Sequence, residues 1–459
     1  MSQQTQLIRA LINEIQRGRL APGAMLPGSR TLAEQLKVNR KVVVAAVDEL
    51  VAQGWLETQP AAGTRVVATL PRSAVADVQV TAPSKASEPV RDGKLITITD
   101  GLPDPRLAPM AELARAYARA LRTVSRASAG YSDAAGDVSL REVIASFVNQ
   151  ARGLATNTDE VMLTRGSQGA LALYALTMLK PGDIVAVEVP GYAPAWRAFE
   201  FAGAKILPIP VDQKGLRVDV LAKAARRLGG KLKAVYVTPH HQYPTTVAMA
   251  PDRRMQVLQL AEAFDLTIIE DDYDYEYHFD GEPLLPLQAS GGARRVVYIA
   301  SLSKLLAPTV RVGYLVAPAA HVQKLKQTRA LLERQGDVTL ERALAELFED
   351  GTIQRHARRA RREYQTRRDG LLHRLRTTPV LHESFDYTVP AGGLALWLTL
   401  RHGNIDNVAA KARAAQLAIA PGSSYVLQGR LDAIRLGFAA HTPHELNRIC
   451  DTLARCLQR

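Results

Sequence analysis

Short apolar runs at residues 161–163, 184–189, 234–237, 266–269 and 296–300 recur through the middle of the chain, with helix-length stretches between them. A run that is apolar at nearly every position, rather than at alternate ones, belongs to a strand covered on both faces. Such strands alternating with helices over about 161–317 specify a mainly parallel sheet with crossover helices. Ligands of open sheets of this kind sit outside the carboxyl ends of the strands. The residues just after each run are therefore where chemistry is to be sought.

Two of those ends carry complementary groups. The run at 296–300 leads into Ser301-Leu302-Ser303-Lys304, with Arg311 seven positions beyond the lysine. An amine that attacks a carbonyl must spend time unprotonated, so it needs cationic neighbours or a shielded pocket to bring it down from about 10.4. Small hydroxyls and a guanidinium beside it offer a site for a phosphate dianion. The run at 266–269 leads into Glu270-Asp271-Asp272-Tyr273, and a carboxylate there can hold a pyridine nitrogen protonated. An ordinary buried ion pair explains any single Lys and Asp. Several matching stretches in one order favour a cofactor site instead.

The 301–311 segment resembles the cofactor-lysine segment of fold-type I aminotransferases. That resemblance implies pyridoxal 5′-phosphate as a Schiff base on Lys304, with Asp271 at the pyridinium and Tyr273 near the 3′ oxygen. Ser301, Ser303 and Arg311 would serve the phosphate. Thr164-Arg165-Gly166-Ser167-Gln168-Gly169 follows a strand and opens a helix, an arrangement that exposes backbone N–H groups to an anion. Ser167 and Gln168 are the side chains of this expected cradle. The same resemblance places Tyr192 over the pyridine face and sends Tyr131 to the cofactor of a neighbouring subunit, which implies a homodimer. It also makes Arg435 the grip on an effector carboxylate, through a bidentate pair. His240 and His241 suggest a metal, but adjacent side chains are expected to diverge, so loop hydrogen bonding is the reading adopted and no metal is assigned. The arginine-rich stretch 355–368 reads as a solvated helix face in preference to a nucleic-acid surface.

The amino-terminal 1–68 has a different pattern. Leu7, Ile8, Leu11, Ile12 and Ile15 keep helical spacing. Ser29 is placed to cap a short second helix and Asn39 a third, and the tight joint between them makes a helix-turn-helix. Residues 55–58 and 64–67 alternate as two strands of a wing. The third helix opens with Arg40 and Lys41, cations at the end that enters a major groove. Leu26-Pro27-Gly28-Ser29-Arg30-Thr31-Leu32-Ala33 and Val38-Asn39-Arg40-Lys41-Val42 resemble the winged helix of GntR-family repressors. The resemblance implies Arg30, Asn39, Arg40 and Lys41 at double-stranded DNA, with Gly63 and Thr64 at the wing tip.

Residues 69–94, with Pro71, Pro83 and Pro89 and no apolar stripe, read as a flexible linker. Residues 95–459 then form an aminotransferase class I/II-like effector domain, with a small α+β subdomain from about 375. The formal charge of +13 fits an anionic partner. Two cysteines give no disulfide framework, and with no signal peptide or membrane-spanning run the expected location is the cytoplasm. The order of modules, with Gly101-Leu102-Pro103-Asp104-Pro105 and Tyr131-Ser132-Asp133, resembles the MocR-type regulators. The expected function is a pyridoxal-phosphate-dependent transcriptional regulator that senses an amino compound, or the cofactor itself, at Lys304 without sustained turnover. The competing expectation is an active aminotransferase whose DNA module autoregulates it.

Overall fold

A computed structural model describes residues 3–59, 63–70, 95–127, 130–292 and 294–458. The chain divides into two units, Met1–Arg91 and Asp92–Arg459. Most of the expected linker, and the wing residues 60–62, lie outside the described residues.

In the first unit, α1 (Gln3–Gln16), α2 (Ser29–Leu36) and α3 (Arg40–Ala52) precede the strands β1 (Leu56–Gln59) and β2 (Gly63–Val66), which pair antiparallel. The apolar faces meet in one core containing Leu11, Ile15, Leu32, Val43, Ala46, Leu50, Leu56 and Val66. Lys37 ends α2 in the left-handed conformation, at φ 53°, and gives the tight joint. Asn39 caps α3 as expected, accepting a 2.9 Å hydrogen bond from the Lys41 N–H. Ser29 does not cap α2. The cap is Gly28, and Ser29 is the first helical residue, its hydroxyl accepting from Arg40 Nε at 3.3 Å.

The second unit begins with β3 (Ile96–Thr97) and builds an eight-stranded sheet from β4 (Val161–Thr164), β5 (Ile184–Val189), β6 (Lys205–Asp212), β7 (Gly215–Leu216), β8 (Leu232–Val237), β9 (Thr267–Asp272), β10 (Val296–Ser301) and β11 (Gly313–Val316). The spatial order is β4-β11-β10-β9-β8-β5-β6-β7. The pairs β10–β9, β9–β8, β8–β5 and β5–β6 are parallel, whereas β11 runs against both of its neighbours. Burial on both faces explains the unbroken apolar runs. Val185 and Val187 pack into one helix layer while Ala186 between them packs into the other.

A smaller antiparallel sheet joins β12 (Phe385–Asp386), β13 (Ala395–Leu400) and, at its far edge, the strand Ala433–Gly437. Leu417–Ala418 pairs in parallel with β3, so the residues that open this unit are built into its carboxyl-terminal part. The helix Thr352–Thr377 carries the arginine-rich stretch. Its solvated-face reading holds only in part, because Arg367 and Arg368 are buried. Arg367 donates to Asp104 Oδ2 at 2.8 Å, and Arg368 pairs with Asp280.

Candidate functional site

The carboxyl ends of β5, β8, β9 and β10 converge on a cavity of about 240 Å³. Ser167, Gln168, Tyr192, Asp271, Tyr273, Ser301, Ser303, Lys304 and Arg311 all line it, so the side chains expected at the cofactor meet in one place. Tyr131 does not join them. It is 73 % exposed, with the Arg334 guanidinium 4.5 Å over its ring.

Lys304 lies in the short helix Leu302–Leu305, started by Ser301, whose hydroxyl accepts from the Ser303 N–H at 3.1 Å. Its Nζ donates to the Gly101 carbonyl at 2.8 Å. Burial within the cavity draws the amine below its ordinary value; Asp100 opposes that shift, and Arg435 adds to it. The sequence suggested cationic neighbours or a shielded pocket, and shielding is the larger cause.

Asp271 stands at the end of β9. The register that sets Tyr236 of β8 opposite Ile269 puts Asp271 two residues further along the same face. The Tyr236 hydroxyl donates to Asp271 Oδ2 at 2.9 Å, while Oδ1 is buried with no partner. Burial pushes the carboxyl up to about 7, a rise that Tyr236 and then the nearby Ser167 hydroxyl temper. Ser167 Oγ is not in hydrogen-bonding geometry with any group, and neither are Gln168 Oε1 and Ser303 Oγ. Unpaired buried polar atoms are rare and costly, and four around one cavity indicate a polar ligand.

The helix Gly166–Met178 points its amino end into this region with no capping side chain, leaving its first N–H groups available to an anion. Gly166 adopts φ +67°, and a Cβ there would come within 3.3 Å of Arg311 Nη1. Glycine thus lets the guanidinium lie against the helix start, where Arg311 Nη2 donates to the Arg165 carbonyl at 3.1 Å. Helix amino end, guanidinium and small hydroxyls together suit a phosphate. The unpaired Asp271 oxygen suits a pyridinium N–H, and the shielded amine suits an aldehyde, so these residues fit pyridoxal 5′-phosphate.

Arg435 is buried and does not line the cavity among the described residues. Each of its nitrogens is engaged: Nε with the Asp100 carbonyl, Nη1 with the Pro244 carbonyl and Nη2 with the Tyr273 hydroxyl. Tyr273 in turn donates to the His241 carbonyl at 2.8 Å. Asp100 and Tyr243 also line the cavity, joined by a 2.6 Å hydrogen bond from the tyrosine hydroxyl. The sequence reading missed Tyr236 and Asp100. An aromatic with a polar tip at the end of an otherwise apolar strand was the available signal for the first.

In the first unit, Arg30 at the start of α2 and Asn39, Arg40 and Lys41 at the start of α3 are exposed. Gly63 takes φ +91°, where a Cβ would meet Met25 Cε at 2.9 Å. The Thr64 hydroxyl bonds that of Thr58 across the hairpin at 3.0 Å.

A winged helix followed by a fold-type I aminotransferase-like domain is the class that this fold and site define. Residues 3–66 match the bacterial regulatory proteins of the gntR family, and residues 103–453 match aminotransferase class I and II. The chain is 33% identical over 375 residues to the probable rhizopine catabolism regulatory protein MocR of Rhizobium meliloti, covering 79% of this chain and 75% of that protein. It is 30% identical over 478 residues to the HTH-type transcriptional regulator TauR of Rhodobacter capsulatus, covering 98% and 96%. The kynurenine aminotransferase of Pyrococcus horikoshii superposes with a TM-score of 0.73 at 28% identity, over 79% of this chain and 91% of that one. The chain belongs to the MocR-type regulators, which join a GntR DNA-binding module to a pyridoxal-phosphate-dependent aminotransferase class I and II domain. No helix among the described residues is long and apolar enough to cross a membrane.

Proposed function

We propose that this regulator binds operator DNA in the cytoplasm as a homodimer, through Arg30, Asn39, Arg40, Lys41, Gly63 and Thr64. Its cavity answers to pyridoxal 5′-phosphate or to an amino compound that meets the cofactor there. The observation that carries the reading is the ring of unpaired buried groups, on Asp271, Ser167, Gln168 and Ser303, around one shielded lysine. When bound, the cofactor supplies an aldehyde that an amine can capture and a ring that withdraws electrons. The chain supplies the rest. Lys304 offers the amine, and Tyr236 fixes the Asp271 carboxylate so that its free oxygen can hold a proton on the pyridine nitrogen. The helix start at Gly166, with Ser167, Gln168, Ser301, Ser303 and Arg311, would hold the phosphate. Tyr192 would lie over the ring and Tyr273 near its 3′ oxygen, and the exposure of Tyr131 agrees with service to a neighbouring subunit. A ligand at this cavity shifts DNA binding only by its different affinity for the two arrangements of the protein.

Purified protein given pyridoxal phosphate and reduced with borohydride should gain the cofactor mass on the peptide bearing Lys304, and operator binding should change with cofactor or amino compound without product turnover. An unchanged mass at saturating cofactor removes the proposal. Catalytic transamination is the second reading, favoured by 29% identity to aromatic-amino-acid aminotransferase 1 of Thermococcus litoralis over 79% of this chain and 89% of that enzyme. Against it, the candidate carboxylate grip, Arg435, has its nitrogens engaged within the protein. Sustained keto-acid production with a second amino acceptor would decide for catalysis.

A further inference from the structure

Beside the cofactor cavity three imidazoles converge. His240 and His241 follow β8, and His278 comes from the chain after β9. Their potential ligand atoms all lie within 4.8 Å of one another. The adjacent pair does not diverge, as extended neighbours would, because the chain bends at 240–241. Their ring centroids are 4.3 Å apart, and those of His240 and His278 are 5.6 Å apart. His240 and His241 are 8% and 3% exposed. His240 Nε2 and His278 Nδ1 are buried with no hydrogen-bond partner. A buried nitrogen left without a partner costs free energy unless a ligand takes it up.

We propose that His240, His241 and His278 bind one divalent transition-metal ion of the zinc, cobalt and nickel class, with Asp274 as the positioning residue. Asp274 Oδ1 lies 2.7 Å from His241 Nδ1, the carboxylate–imidazole pairing that orients a ligating histidine and leaves its Nε2 for the ion. Gly392 keeps that nitrogen clear, since a Cβ there would stand 2.9 Å from it. An all-imidazole donor set suits borderline ions, whereas calcium and magnesium want oxygens. Both cysteines lie elsewhere, in the helix Pro443–Leu457. Bonds of about 2.0–2.1 Å to a tetrahedral ion place ligand nitrogens roughly 3.4 Å apart, so binding draws the rings inward. His278, half-buried, is the one with room to move. The three histidines line one cavity together with Thr246 and Glu282, which leaves room for a fourth ligand. The His241 carbonyl accepts the Tyr273 hydroxyl, so an ion here also bears on the wall of the cofactor cavity.

The test is made on the full chain, stripped with chelator and given no pyridoxal phosphate, so its outcome is separate from that of the cofactor reading. Cobalt(II) should produce the visible absorption of a low-symmetry nitrogen-ligated site, saturating at one ion per chain and displaced by zinc. His278→Ala and His240→Ala should each weaken zinc binding tenfold or more, and Asp274→Asn should weaken it about 10- to 100-fold. The absence of a cobalt spectrum in the unsubstituted protein would overturn the proposal, and so would equal zinc affinity in His278→Ala. If the alanine variants do not fold, His278→Gln takes their place, and zinc affinity unchanged in that variant would overturn the proposal equally.

Discussion

Asp271 sets the cofactor-free protein against itself, and Asp271→Asn should show it. Burial raises this carboxyl from 3.8 to about 7. Between those values the native chain keeps a proton that the unfolded chain has released. Native stability therefore falls as pH rises through this window and levels off above about 7. Each tenfold difference in proton affinity is about 1.36 kcal/mol, so the full cost of the charged native form at pH 8 is about 4 kcal/mol. Water entering the cavity would reduce it, and about 2–4 kcal/mol is the expected range. Asparagine keeps the shape and the partner for Tyr236 but never carries the charge. Thermal unfolding of cofactor-free protein should therefore show the variant melting slightly above the unsubstituted chain at pH 5 and further above it at pH 8. In pyridoxal phosphate the ranking should reverse, because the pyridinium loses its counter-charge. If the cofactor-free variant melts no higher at pH 8 than at pH 5, relative to the unsubstituted protein, burial does not hold this carboxyl protonated and the reasoning fails.

Tyr236→Phe removes the 2.9 Å hydrogen bond that the Tyr236 hydroxyl donates to Asp271. Cofactor affinity should fall several-fold, the loss of about 1–2 kcal/mol by titration of cofactor absorbance, while Tyr192→Phe keeps its ring and should change little. Lys41→Ala should weaken operator binding across sequences and lower the salt-dependence slope by about 1, read by fluorescence anisotropy at several ionic strengths. Arg367→Met strips a buried partner from Asp104 and should cost about 3 kcal/mol in chemical unfolding. Arg106→Ala, which removes a half-exposed arginine from the same aspartate, should cost under about 1 kcal/mol.

The sequence by itself determined the features that short-range pattern can encode. Unbroken apolar runs announced strands buried on both faces, and residues at their ends announced where Lys304, Asp271 and the phosphate cradle would gather. The helix spacing in 1–68 and the cap at Asn39 were equally local. Tertiary structure alone decided what depends on the meeting of distant segments. Strand register chose Tyr236 as the anchor of Asp271. The hydrogen bond from the Gly437 N–H to the Thr99 carbonyl ties residues 96–101 to the last strand and sets Arg435 against the Asp100 carbonyl, and burial with Asp104 and Asp280 as partners turned Arg367 and Arg368 from solvated charges into ion pairs. A bend after β8 made neighbours of His240 and His241, and the turn after β9 brought His278 to them. Periodicity records which face of a segment avoids water, but it carries no term for which other segment that face will touch.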